Sequence, residues 1–79
     1  LKANFELVPY GAPKREVIRL MGKPATVLAG CGYMGSKPRW GCVEQYVYFG
    51  FWGAWLDEAW IVSLNGDGLV VDKGHILSP

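Results

Sequence analysis

Gly30-Cys31-Gly32-Tyr33-Met34-Gly35 is the segment whose spacing most resembles chemistry, because it spells G-x-G-x-x-G directly after the strand-like Ala25-Thr26-Val27-Leu28-Ala29. In a dinucleotide-binding turn the last glycine opens a helix whose N-terminal amides face a pyrophosphate. Here Ser36-Lys37-Pro38-Arg39-Trp40-Gly41 follows, which is no helix, and the remaining 44 residues are too few for a doubly wound sheet. Leu28-Ala29-Gly30-Cys31 also spells a lipoprotein cleavage box, but Arg19, Lys23 and Pro24 break the apolar run that a signal peptide needs before it. Ser63-Leu64-Asn65-Gly66-Asp67-Gly68 has the oxygen-rich look of a calcium loop. Counting from Ser63 places Gly74 at the twelfth position, where a bidentate Glu is required. No nucleotide, metal or other cofactor is expected.

The remaining titratable groups form no catalytic constellation. Asp57 and Glu58 are adjacent, so on a strand they point to opposite faces and cannot act as an acid–base pair; both are expected to be solvated. His75 has no Ser or reactive Cys near it in sequence. One His and two Cys are too few for a tetrahedral zinc site. Cys31 and Cys42, with ten residues between them in a Gly-rich segment, read instead as a disulfide that closes a loop in a small exported domain. The expectation is a binding or structural module, not an enzyme.

Composition sets the frame for that module. Seventy-nine residues make one domain, 1–79, and 51% hydrophobic residues with four Trp, four Tyr and three Phe exclude a disordered chain. The net charge is +1 and the eight Lys and Arg are scattered, which argues against a nucleic-acid footprint or an anionic membrane patch. No stretch approaches the ~20 apolar residues of a membrane span. The chain opens at Leu1 without a Met, as expected of a processed or trimmed form.

The elements that must position these residues begin with Gly11 to Pro24. Pro13 suits a first helical position, Gly22 suits a left-handed cap, and Val17, Leu20 and Met21 at i, i+3 and i+4 form one apolar stripe. Lys2 to Leu7 reads as a shorter helix anchored by Phe5. Ala25 to Cys31 is extended, and Val43 to Phe51 is a strand with Val43, Val47, Phe49 and Phe51 on one face and Glu44, Tyr46 and Tyr48 on the other. Trp52-Gly53-Ala54 interrupts the pattern. A strand from Asp57 to Leu64, with Trp60, Val62 and Leu64 facing one way, then leads through the turn Asn65-Gly66-Asp67-Gly68 to a returning strand from Leu69 to Ile76. The predicted fold is α+β: two short N-terminal helices on one face of a three-stranded antiparallel sheet, with room for an extra short edge strand. The helix stripe should pack against Val47 and Phe49 or against the Val62 and Leu64 face.

Tyr46, Tyr48, Phe49, Phe51, Trp52, Trp55 and Trp60 exceed what a small core requires. If the helices cover one face, the other presents Tyr46 and Tyr48, with Trp52 or Trp55 from the following loop, to water or to a partner. The alternative is that these rings cover the edge of the core, since Trp and Tyr are seldom fully buried. Tyr46, Tyr48, Trp52 and Trp55 are the candidate partner-binding residues.

Gly11, Val17, Gly22 and Pro24, with Trp60-Ile61-Val62-Ser63-Leu64 and Gly68-Leu69-Val70, also follow a family pattern: a glycine, a helix carrying Val, Gly-x-Pro, and a final hairpin. Between about Phe5 and Ile76 the chain resembles the SmpA/OmlA (BamE-like) lipoproteins of Gram-negative bacteria, and among them the osmotically inducible members. It departs from the pattern at Ala12-Pro13, where a small polar N-cap is usual, and in the long loop between Cys31 and Cys42. The resemblance implies a two-helix, three-stranded domain at the periplasmic face of the outer membrane, anchored by a lipid on an N-terminal cysteine that this chain lacks. It also implies envelope proteins as partners and a scaffold role in envelope integrity or osmotic stress. A related architecture occurs in secreted β-lactamase inhibitor proteins, so a secreted enzyme inhibitor is the alternative. A carbohydrate binder stacking sugars on Trp52 and Trp55 is a further one.

Overall fold

The computed structural model describes residues 2–32, 41–51 and 57–78. Two helices, α1 (Lys2–Leu7) and α2 (Lys14–Met21), precede four strands, β1 (Thr26–Ala29), β2 (Cys42–Phe51), β3 (Asp57–Asn65) and β4 (Val70–Ser78). The strands form one antiparallel sheet in chain order, β1-β2-β3-β4. The extended piece expected before Cys31 is thus the extra short edge strand, four residues long, and it brings the sheet of the described residues to four strands.

Local chemistry explains the helix boundaries. Pro13 stands just outside α2, where its carbonyl accepts the N–H groups of Glu16 (2.9 Å) and Val17 (3.3 Å). Its lack of an N–H costs nothing at that position. At the other end Gly22, at a φ of 80°, turns the chain out of the helix while its N–H donates to the Ile18 carbonyl at 2.8 Å. That positive φ favours glycine because a Cβ would crowd the adjoining carbonyl. The Arg19 guanidinium pairs with Glu16 on the wet side.

The final hairpin is fixed by one side chain. Asn65 Oδ1 accepts the N–H groups of both Asp67 and Leu69 at 3.0 Å, and the Asn65 N–H donates to the Leu69 carbonyl at 2.9 Å. Asn is favoured here because its amide oxygen imitates a backbone carbonyl across the turn. The segment Gly11–Pro13 then pairs with the start of β4: the Gly11 N–H donates to the Val70 carbonyl and the Val70 N–H to the Ala12 carbonyl.

The main core lies between the helices and one face of the sheet. Phe5, Val8, Ala12, Val17 and Met21 meet Tyr48, Trp60, Val62, Leu64 and Val70, with Leu20 and Tyr46 partly buried beside them. The stripe of α2 therefore docks on the Val62 and Leu64 side, not on Val47 and Phe49. This reverses the side expected for the tyrosines. Cross-strand register pairs Tyr48 with Trp60 and Tyr46 with Val62, and residues directly opposite in a sheet share a face. Tyr46 and Tyr48 accordingly belong to the face that the helices cover. Burial of Tyr48, only 4% exposed, is compatible with its hydroxyl, which donates to the Gly22 carbonyl at 2.9 Å.

Candidate binding face

The alternation along β2 that sends Tyr46 and Tyr48 toward the helices sends Gln45, Val47 and Phe49 the other way. Register builds that second face from three rungs: Leu28, Gln45, Ser63 and Asp72; then Thr26, Val47, Ile61 and Gly74; then Phe49, Ala59 and Ile76. Val47, Ala59 and Ile61 form a buried apolar cluster flanked by Leu28 and Ile76. Among the described residues this cluster contains strand residues only. Phe49, near the end of β2, is 51% exposed.

A polar group borders the apolar patch. Gln45 is buried, and its Nε2 donates to Ser63 Oγ at 3.0 Å while its Oε1 accepts the Gly32 N–H at 3.2 Å. These bonds satisfy a buried amide that would otherwise be costly. Cys31 and Cys42 are joined as expected, with Cα atoms 6.2 Å apart, so the exit of β1 is tied to the entry of β2 beside Gln45. Leu28, Ala29, Gly30, Cys31, Gly32 and Gln45 line a shallow depression there.

On the helix side the titratable residues come together in a way their sequence spacing conceals. Asp57 is exposed and Glu58 buried, as strand alternation requires, so the expectation that both are solvated is corrected for Glu58. On β4, His75 stands opposite Trp60 and therefore diagonal to Glu58, and its Nε2 lies in hydrogen-bonding contact with the Glu58 carboxylate. Trp60 stacks on the imidazole with ring centroids 5.3 Å apart. The Trp60 ring also passes over Gly50, where a Cβ would come within 2.7 Å of it, so this position requires glycine. A carboxylate orienting an imidazole forms two parts of a hydrolytic relay. Among the described residues, no hydroxyl or thiol hydrogen-bonds to His75. The pair acts as a tie between β3 and β4. It was hidden because its members lie 17 residues apart, and only the register of the last hairpin brings them together.

Burial, with the nearby Tyr46, pushes the Tyr48 phenol up to about 12. Lys14 is held above its ordinary value by a hydrogen bond and ion pair to Glu44 at 2.6 Å, which links α2 to β2. Of the four residues expected to bind a partner, Tyr48 is core, Tyr46 is packed against it, and Trp52 and Trp55 lie outside the described residues. The sequence signal that would have found Phe49 is the pairing of β2 with β3. Once Trp60, Val62 and Leu64 are taken as the inward set, register assigns Phe49 to the opposite face. No family model, no curated protein and no solved structure matches this chain.

Proposed function

We propose that this domain is a protein-binding module of an oxidising compartment, and that it engages its partner through the sheet face carrying Phe49. The observation that carries the reading is the division of the sheet. The helices bury one face, while the other holds a second apolar cluster with Phe49 half exposed and Leu28 and Ile76 partly so. Half-exposed aromatic side chains beside an apolar cluster are the usual anchors of protein interfaces. The Cys31–Cys42 disulfide supports export, since such bonds persist outside reducing compartments. Two helices followed by antiparallel strands also agree in element order with the resemblance to the BamE-like lipoproteins. On that basis the module is a scaffold at the periplasmic face of the outer membrane, with envelope proteins as its partners.

A photo-reactive residue placed at Phe49 should crosslink one envelope protein reproducibly, while the same residue at exposed Ile18 on α2 should not. Equal crosslinking from both positions would remove the preference for the sheet face. If the species captured at Phe49 is instead a soluble enzyme whose activity falls on binding, the domain is an inhibitor.

A further inference from the structure

β1 is held in the sheet far less by packing than its neighbours are. It has four residues, Val27 and Ala29 are exposed, and Leu28 only flanks the second cluster. Among the described strand residues the largest fully buried side chains are Gln45, Val47, Val62, Leu64 and Val70, from β2, β3 and β4, and none is from β1. The backbone at the two ends of β1 is attached through Ala25 N–H to the Val47 carbonyl at 2.9 Å and Gly30 N–H to the Val43 carbonyl at 2.7 Å. A strand this short, with one partner and little apolar burial, is marginal on its own. The disulfide lies one residue beyond Gly30 and ties it to the first residue of β2. Both cysteines are partly exposed, so a reductant can reach the bond.

We infer that the Cys31–Cys42 bond is a redox catch on β1: its reduction frees Thr26–Ala29 and bares the adjoining edge of β2, while α1, α2 and β2 to β4 stay folded. In the chemical step one thiolate of a dithiol reductant attacks a sulfur of the pair and forms a mixed disulfide. The reductant's second thiol then displaces it. Two electrons pass to the protein, Cys31 and Cys42 each take up a proton as thiols, and the reductant leaves as its own disulfide. While the bond is closed, any opening of β1 must form a loop anchored at Cys42, which restricts the open state. Once it is reduced, the nearer anchor at Cys31 is released, and β1 can open within the longer loop that runs from Gly22 to Cys42. The Tyr48 hydroxyl still holds Gly22, so the loosening stops at the end of α2. The bared edge of β2 is a row of unpaired N–H and C=O groups, a template for an added strand.

Native-state hydrogen exchange of the whole domain, oxidised and then reduced with dithiothreitol, tests this, with the double variant Cys31→Ser, Cys42→Ser as the reductant-free equivalent. The Ala25 and Gly30 amides should be protected in the oxidised protein. After reduction they should exchange about 100-fold faster, by an opening insensitive to low urea. The Ile61 and Val62 amides, in a strand paired on both sides, should remain at least about tenfold slower than these and sensitive to urea. Three results overturn the inference: unchanged protection at Ala25 and Gly30, one shared opening for β1 and β3, or a reduced protein that is unfolded throughout.

Discussion

Tyr48 and Phe49 are neighbours in β2, yet one is a core residue with its hydroxyl bonded to Gly22 and the other stands half in solvent. The two rings stand on opposite faces of the sheet, and the described packing differs between them. On Tyr48's side two helices supply Phe5, Val8, Ala12, Val17 and Met21. On Phe49's side the described packing comes from the strands alone. Aromatic content by itself therefore does not mark a contact surface; the partner across the sheet decides which ring is structural.

The contrast is broken most severely by removing what the helix side depends on. Leu64, fully buried between helices and sheet, should cost about 2 to 5 kcal/mol as Leu64→Ala, measured by urea unfolding, because little around it can collapse into the space. Next in size is His75→Ala, which leaves the buried Glu58 carboxylate without its imidazole and should cost about 1 to 3 kcal/mol. His75→Gln, which restores an N–H donor, should recover part of that loss. If His75→Ala is silent, the pair is not a tie between β3 and β4.

How much of this was legible from residues alone follows from which forces are local. The boundaries of α2 were legible because Pro13 and Gly22 act through their own backbone. The last turn was legible because Asn65 makes its own hydrogen bonds, and the disulfide because two cysteines sit on either side of an aperiodic loop. Period-two alternation in β2 also separated Tyr46 and Tyr48 from Val47 and Phe49. Which of the two sets faced the helices was not legible from that strand, since both are apolar enough to bury. The answer lies in the register with β3, a non-local pairing. The same holds for Glu58 and His75.

Alkaline titration sharpens the contrast further. Tyr48 is raised to about 12, mainly by burial, above the ~10 of an exposed phenol. The folded state thus binds a proton that the unfolded state has released between these values, so this contribution to stability is intact below pH ~10 and declines as pH rises toward 12. Absorbance of phenolate should show one tyrosine ionising near 12, and Tyr48→Phe should remove that step. A smaller effect, about 1 kcal/mol, is expected for Asn65→Ala, which strands the Asp67 and Leu69 amides at the hairpin tip. Exposed Asp67→Ala beside it should change the urea midpoint little.

The division of the sheet into a folding face and a contact face is tested most directly by truncating its two adjacent rings in parallel. Urea unfolding of Tyr48→Ala should show a loss of about 3 to 5 kcal/mol, while Phe49→Ala, starting half exposed, should lose less than about 1 kcal/mol. Equal losses, or a larger loss at Phe49, would mean that the helices do not define the core side of this sheet and would contradict the account.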